Sequence, residues 1–242
     1  MRLHLYALCW NEGRMLPYFF RHYRSLVERF FIFDDGSTDG SLEFLRAQPD
    51  VELGRFGSDG DSYVLSAVRF YREAWKASRG KAEWVVVCNV DEHLYHPDLL
   101  GYVNECRDKG VTAVRAEGYE MVGEHFPDEP RRLCDEIVTG TRWERLDKVA
   151  LFDPSAIDEI GYSPGRHVAR PIGRFVLPAE PAVKLLHYKH LGMDYLVNRQ
   201  AELRGRLLPG DVANHYGIQY LKSREEIRRD FDALVQAAVT VI

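Results

Sequence analysis

Short apolar runs, each the length of a strand, alternate with amphipathic helical stretches through the first half of the chain. Leu3 to Cys9, Phe30 to Phe33, Val51 to Phe56 and Trp84 to Val90 read as strands. Between the first two, Leu16, Phe19, Phe20, Tyr23, Leu26 and Val27 fall at helical spacing. They predict a helix from Gly13 to Phe30, with Pro17 in its tolerated first turn. Ser37, Thr38 and Asp39 are N-cap candidates for a helix through Leu45. Val64, Ala67, Val68, Tyr71 and Trp75 form another apolar face. A helix from Pro97 to about Lys109 stops before Gly110. Few folds accommodate this order. It predicts an α/β layer architecture, a mixed and mostly parallel sheet flanked by helices. Such sheets bind ligands outside the carboxyl ends of their strands.

After Val122 the alternation stops. Residues 123–182 are rich in Gly, Pro and charge and predict hairpins and long loops. Ala182 to Tyr188 reads as a strand. From Ser223 a helix is expected, opened by the capping-box pair Ser223 and Glu226. Its stripe of Ile227, Phe231, Leu234, Val235 and Ala238 predicts burial against this domain or a twin subunit.

Composition narrows the function classes. A net charge of -5 argues against a nucleic-acid binder, while 32 basic residues still suffice to line a pocket for an anion. No apolar run approaches the ~18 residues of a membrane span, and the first residues lack the pattern of a signal peptide. The four cysteines (Cys9, Cys88, Cys106, Cys134) form no CxxC pattern and suit the reduced thiols of a cytoplasm.

Chemistry concentrates at the strand ends. Trp84 to Cys88 runs without a spacer into Asn89, Val90, Asp91, Glu92 and His93. If the strand continues, Asn89, Asp91 and His93 share one face and Glu92 points the other way. Asp91 can offer an oxygen to a hard cation. The alternative, a solvated strand end, sits poorly after so apolar a run. DDGSTDG at 34–40 is a turn that caps a helix, and Asp34 or Asp35 at its start can also bind a nucleobase or ribose. The Asp-x-Asp of haloacid-dehalogenase-type phosphatases is not matched, because these acids are adjacent. Cys9, Trp10, Asn11 and Glu12, with the helix start that follows, suit a phosphate or a base edge, or simply a cap. His167, in Gly165-Arg166-His167, and His187, at the end of a predicted strand, are either structural or ligands.

In this order the motifs resemble the family 2 glycosyltransferases of GT-A fold. The similarity is greatest to the branch in which a DxDEF motif is followed far downstream by HY. Here the two read NVDEH at 89–93 and HYK at 187–189, and GRH at 165–167 and DK at 147–148 are also similar. The resemblance covers residues 3–190. It implies a nucleotide-diphosphate-sugar donor, a divalent metal (Mn2+ or Mg2+) and inversion at the anomeric carbon. It implies nucleotide contacts from Cys9, Trp10, Asn11, Glu12, Asp34, Asp35, Asp61, Asn89 and Val90, and metal ligation by Asp91 and His187. Asn89 replaces the family's first acid. Its amide both donates and accepts, and can keep a ribose bond. The family's downstream Glu-Asp pair is missing. Glu120, Asp128 and His167 are therefore the candidates for general base, with Glu120 preferred.

One domain over 1–242 then divides into a nucleotide-binding half (1–122), an acceptor and metal half (123–192) and a helical tail (193–242). The acceptor is a saccharide, a lipid or a small molecule. A homo-oligomer through the C-terminal helix and peripheral membrane association are compatible with this reading. The alternatives are a non-catalytic nucleotide-sugar-binding relative and, further off, a nucleotidyltransferase or metal phosphoesterase. CWNEGRML has too little Gly and basic charge for the last pair.

Overall fold

The computed structural model describes residues 1–58, 60–128 and 131–242. The expected parallel core is present. β1 (Leu3–Cys9), β2 (Arg29–Asp34), β3 (Val51–Arg55) and β4 (Trp84–Val87) lie parallel in the order β3-β2-β1-β4. All seven residues of β1 are buried, as a central strand covered on both faces requires. The connections carry α1 (Leu16–Tyr23), α2 (Ser41–Arg46) and α3 (Tyr63–Glu73).

The next segment supplies β5 (Glu92–Tyr95), α4 (Leu99–Asp108), β6 (Ala113–Arg115), β7 (Glu117–Gly123), β8 (Thr139–Arg142) and β9 (Val149–Phe152). Then come β10 (Ile157–Glu159), β11 (Ile172–Gly173) and β12 (Lys184–Leu191). The tail adds α5 (Met193–Arg204), α6 (Pro209–Ala213), α7 (Arg224–Ala237) and β13 (Val239–Thr240). β9 and β6 complete the first sheet as β3-β2-β1-β4-β9-β6, with β9 antiparallel to both its neighbours. A second sheet runs β13-β8-β7-β12-β5, in which only β7 and β12 are parallel.

Two elements, the first helix and the strand over 84–90, depart from expectation. The first helix is only Leu16–Tyr23, because the chain leaves it through turns (Leu26 N–H to Tyr23 O, 2.9 Å) to enter β2. The apolar stretch from Val111 splits at Ala116, giving β6 to the first sheet and β7 to the second. The strand expected over 84–90 stops at Val87. A turn follows (Glu92 N–H to Asn89 O, 3.1 Å), and β5 pairs antiparallel with β12 instead. Asn89, Asp91 and His93 therefore do not share a strand face. Changing sheets resets the alternation, and His93 is sealed in the core, stacked on His22 with ring centroids 4.7 Å apart.

One core cluster, with Phe19, Tyr23, Phe30, Trp84 and Tyr188, fills the space on the α1 side. Another, with Tyr6, Tyr71, Trp75, Phe152 and Tyr162, covers the opposite face of the first sheet. The capping box of Ser223 and Glu226 opens α7 as expected. Ile227 and Phe231 pack with Val122 and Leu196 of the same chain, Leu234 is partly buried, and Val235 is 45% exposed. The stripe is thus buried over its first turns only. Among the described residues, no helix is long and apolar enough to cross a membrane, and all four cysteines are free and buried.

Candidate active site

The carboxyl end of β4 opens into a cavity of about 500 Å3. Asp91 stands in the β4–β5 turn, and its carbonyl accepts the Tyr188 N–H at 2.8 Å, which ties the turn to β12. The register of β12 places His187 beside Glu92 of β5 and Glu120 of β7. His187 Nε2 lies 3.1 Å from Asp91 Oδ2, and its Nδ1 lies 2.9 Å from Glu120 Oε2. His190 Nδ1 also lies 3.1 Å from that same Glu120 oxygen. Burial opposes a charge on His187, but the two carboxylates outweigh it and raise its pKa to about 10. Burial likewise pushes both carboxyls up, and the facing imidazole holds Asp91 and Glu120 below their ordinary values. Among the described residues, no group of three or more His, Cys, Asp or Glu side chains converges as a metal site.

Beneath this trio lies Glu92, 1% exposed. Its Oε1 accepts from Lys148 Nζ and its Oε2 from Arg166 Nη2, each at 2.5 Å. Arg166 also donates to the Val87 carbonyl (2.7 Å), and its guanidinium lies 4.7 Å from the centre of the Tyr71 ring. It reaches inward because Gly165 and Arg166 adopt left-handed φ values of 68° and 57°, a conformation costly for Arg that the buried ion pair pins. Burial favours a neutral Glu92, but Arg166 and then Lys148 hold its carboxyl well below the usual range. Lys148 points the other way: burial lowers its pKa by more than Glu92 restores. Arg166 is thus the partner that keeps Glu92 ionised. Tyr71 O–H donates to Asn89 Oδ1 (3.0 Å), and Asn89 Nδ2 donates to Glu92 Oε1 (3.3 Å), so this amide is engaged inside the protein.

The loops after β1 and β2 are laced together. Asn11 N–H donates to Ser37 Oγ (2.8 Å), Thr38 N–H to Asn11 Oδ1 (2.7 Å) and Gly13 N–H to Asp39 Oδ2 (2.8 Å). Asp34 is buried and accepts from the N–H groups of Gly36 and Ser37 at 2.8 and 2.9 Å, a turn-capping role. Asp35 instead forms an ion pair with Arg206. From α5, Arg199 donates to the carbonyls of Trp10 (3.1 Å) and Asn11 (3.0 Å) and pairs with Glu12.

Trp10, Glu12, Asn89, Val90, Asp91, Glu120, His167 and His187 all line the cavity. Cys9 is buried in β1, and Asn11, Asp34 and Asp35 are not part of the cavity lining. Asp61 is exposed and touches the tail through its carbonyl, which accepts Gly210 N–H at 2.8 Å. Asp128 is exposed and outside the lining. The motifs at 147–148 and 165–167 meet the acidic motif through Lys148 and Arg166 on Glu92. Tyr71, Arg199 and Arg206 were missed. Nothing in their local sequence sets them apart: Tyr71 reads as an ordinary helix-face residue, and the roles of Arg199 and Arg206 depend on how the tail returns across β1.

No family model and no curated protein matches the chain. Among solved structures it is similar to the crystal structure of S. aureus TarS 1-349, at 12% identity and a TM-score of 0.43 over 84% of this chain and 64% of that one. The same protein in complex with UDP-GlcNAc gives 11% identity and a TM-score of 0.45, over 84% and 65% of the two chains. In complex with UDP it gives 12% and 0.44, over 83% and 66%. The chain thus spans about 64% of the length of the first of these.

Proposed function

We propose that the protein is a nucleotide-sugar glycosyltransferase of GT-A type, moving a sugar with inversion to an acceptor hydroxyl. One observation carries this reading. Asp91 and His187, far apart in sequence, meet at 3.1 Å at the carboxyl end of the parallel strands, inside the cavity that Trp10 and Glu12 also line. The donor set fits a divalent cation that takes the place of the His187 Nε2 proton: a carboxylate oxygen, an imidazole nitrogen freed of its proton, and a second carboxylate on the far ring nitrogen that fixes the ring. Asp91 and His187 would hold the ion, and a hard cation so held would also accept phosphate oxygens. The imidazole favours manganese over magnesium. When bound, the ion offsets the negative charge that grows on a departing diphosphate.

The chain's own residues do the rest. Trp10 offers a flat face and the β1–α1 loop a backbone edge to the nucleotide. Glu120 faces two imidazoles and, held ionised by them, is a weak base; it orients His187. His167, which lines the cavity, is the candidate we favour to take the acceptor's proton. Its Nδ1 donates to the Arg145 carbonyl at 2.6 Å, which leaves Nε2 as an acceptor, and burial lowers its pKa so that the ring stays neutral.

The test is release of nucleoside diphosphate over a panel of nucleotide sugars, with and without manganese. Asp91→Ala should abolish it. His167→Gln should slow it by about 10²–10⁴ while leaving nucleotide affinity unchanged. Near-normal turnover by a folded Asp91→Ala protein would sink the assignment. Binding without any release would instead favour a non-catalytic nucleotide-sugar binder, a reading to which the engaged amide of Asn89 lends support.

A further inference from the structure

We propose that the segment 205–221 closes the nucleobase subsite in the free protein, with the guanidinium of Arg206 standing where the base would lie. This rests on reading the cavity as a nucleotide-sugar site. A base entering such a site needs a flat surface for its face and a hydrogen-bonding partner for its edge. Trp10 supplies the first and Asp35 the second. Both are already engaged by one planar group. The Arg206 guanidinium lies 4.2 Å from the centre of the Trp10 ring and 5.5 Å from that of Tyr63, and it donates to Asp35.

Accessibility agrees. The Arg206 side chain is 29% exposed and faces the cavity, whereas that of Asp35 is 8% exposed and does not reach the cavity wall. No ring can meet the Asp35 carboxylate until Arg206 moves. A guanidinium suits this place because it stacks on aromatic faces and pairs with carboxylates in the same plane.

The segment is built to move as a unit. Its ends are drawn together by Arg204, which donates to the carbonyls of Tyr220 (2.7 Å) and Lys222 (2.6 Å). Between those ends it is an Ω-like loop with three attachments to the nucleotide half. One is Arg206 on Asp35. A second is Asp211, 1% exposed, which accepts from Ser62 Oγ (2.6 Å) and from the N–H groups of Tyr63 and Val64 (each 3.1 Å). A third is the single hydrogen bond from Gly210 N–H to the Asp61 carbonyl (2.8 Å). Arg199 is separate: it grips backbone carbonyls from α5 and can stay in place while the loop lifts. A nucleotide therefore binds only the fraction of molecules in which Arg206 has left Asp35, and its apparent affinity is reduced by that fraction.

The experiment is calorimetric titration of the full chain, in manganese, with UDP and with GDP, for wild type, Arg206→Ala and Asp211→Ala. Hydrogen exchange of 205–221 is followed with and without nucleotide. Arg206→Ala should bind the preferred nucleotide about tenfold more tightly. Asp211→Ala, which loosens the second attachment without touching Asp35, should shift in the same direction. In wild type, nucleotide should speed exchange across 205–221. Weaker binding by Arg206→Ala would show that Arg206 contacts the base and would overturn the proposal. So would slower exchange of the segment on binding, which would mean that it closes over a bound nucleotide. If Arg206→Ala does not fold, Asp211→Ala and the exchange data decide. If wild type binds nucleotide and neither variant gains, this inference alone fails. If no form binds either nucleotide, the reading of the cavity fails with it.

Discussion

Glu120 faces two imidazoles through one oxygen, and that sharing ranks the residues around it. His187 bridges Glu120 and Asp91, while His190 reaches only Glu120. Glu120→Gln keeps the shape but weakens the hold on His187. It should lower the apparent manganese affinity of activity about 10- to 100-fold, with nucleotide binding in chelator unchanged. His187→Ala should cost at least as much and His190→Ala clearly less. A manganese titration of the three variants checks the order, and an unchanged His187 variant would end the ligand assignment. Glu92 gives a second prediction. Its folded carboxyl is held below the ordinary value of 4.5, so its contribution to stability is present above that pH and is lost as pH falls towards the folded value. On acidification below pH 4.5, wild type should therefore lose stability more steeply than Glu92→Gln, whose amide does not titrate. Urea midpoints across that range report it, and parallel curves would mean that the buried ion pairs contribute nothing to acid stability.

At the scale of elements, Phe231 and Val235 sit on one face of α7 yet differ in burial, 8% against 45% exposed. Phe231→Ala should cost about 3–5 kcal/mol, and Val235→Ala less than about 0.5 kcal/mol, as read by chemical denaturation. Equal costs would mean that Val235 is covered by something outside this chain. The same helix shows what sequence makes legible. Its capping box is local chemistry, and Ser223 with Glu226 announced it. The strands ending in Cys9, Asp34 and the residues before Asn89 were legible for a similar reason, since continuous apolar runs have few other uses. The hop from β4 to β5 was not. Its cause is a turn of a few residues whose partner strand, β12, lies about a hundred residues away. That one event displaced His93 from the site and sent Glu92 to two cations that no local pattern connects to it. Asp91 and His187 were found because each follows an apolar run, although β4 ends at Val87 and His187 lies inside β12 and not at its end. Arg199 and Arg206 lie on a helix of low amphipathicity and in the loop after it, where nothing local marks them.

Across the whole molecule, the two sheets meet where β4 gives way to β5, and the buried trio of Lys148, Glu92 and Arg166 lies under that junction. Two cations facing one carboxylate leave a surplus of positive charge below the cavity floor, each side chain at most 3% exposed. Mobile ions screen exposed charges over about 8–10 Å but cannot enter between groups packed this closely. This surplus stands against the excess of carboxylate over imidazole in Asp91, Glu120 and His187 above it, and its pull on an anion is a fixed component that bulk salt does not reach, beside the salt-sensitive pull of surface residues such as Arg145. Lys148→Met removes the surplus while keeping most of the buried volume. Nucleoside diphosphate affinity measured against potassium chloride should level off at high salt in wild type and fall to a lower plateau in the variant. Identical plateaus would show that the buried pair is electrically silent at the site. A chain that is acidic overall would then be holding polyanions by a field fixed inside its fold, nearly independent of the ionic strength around it.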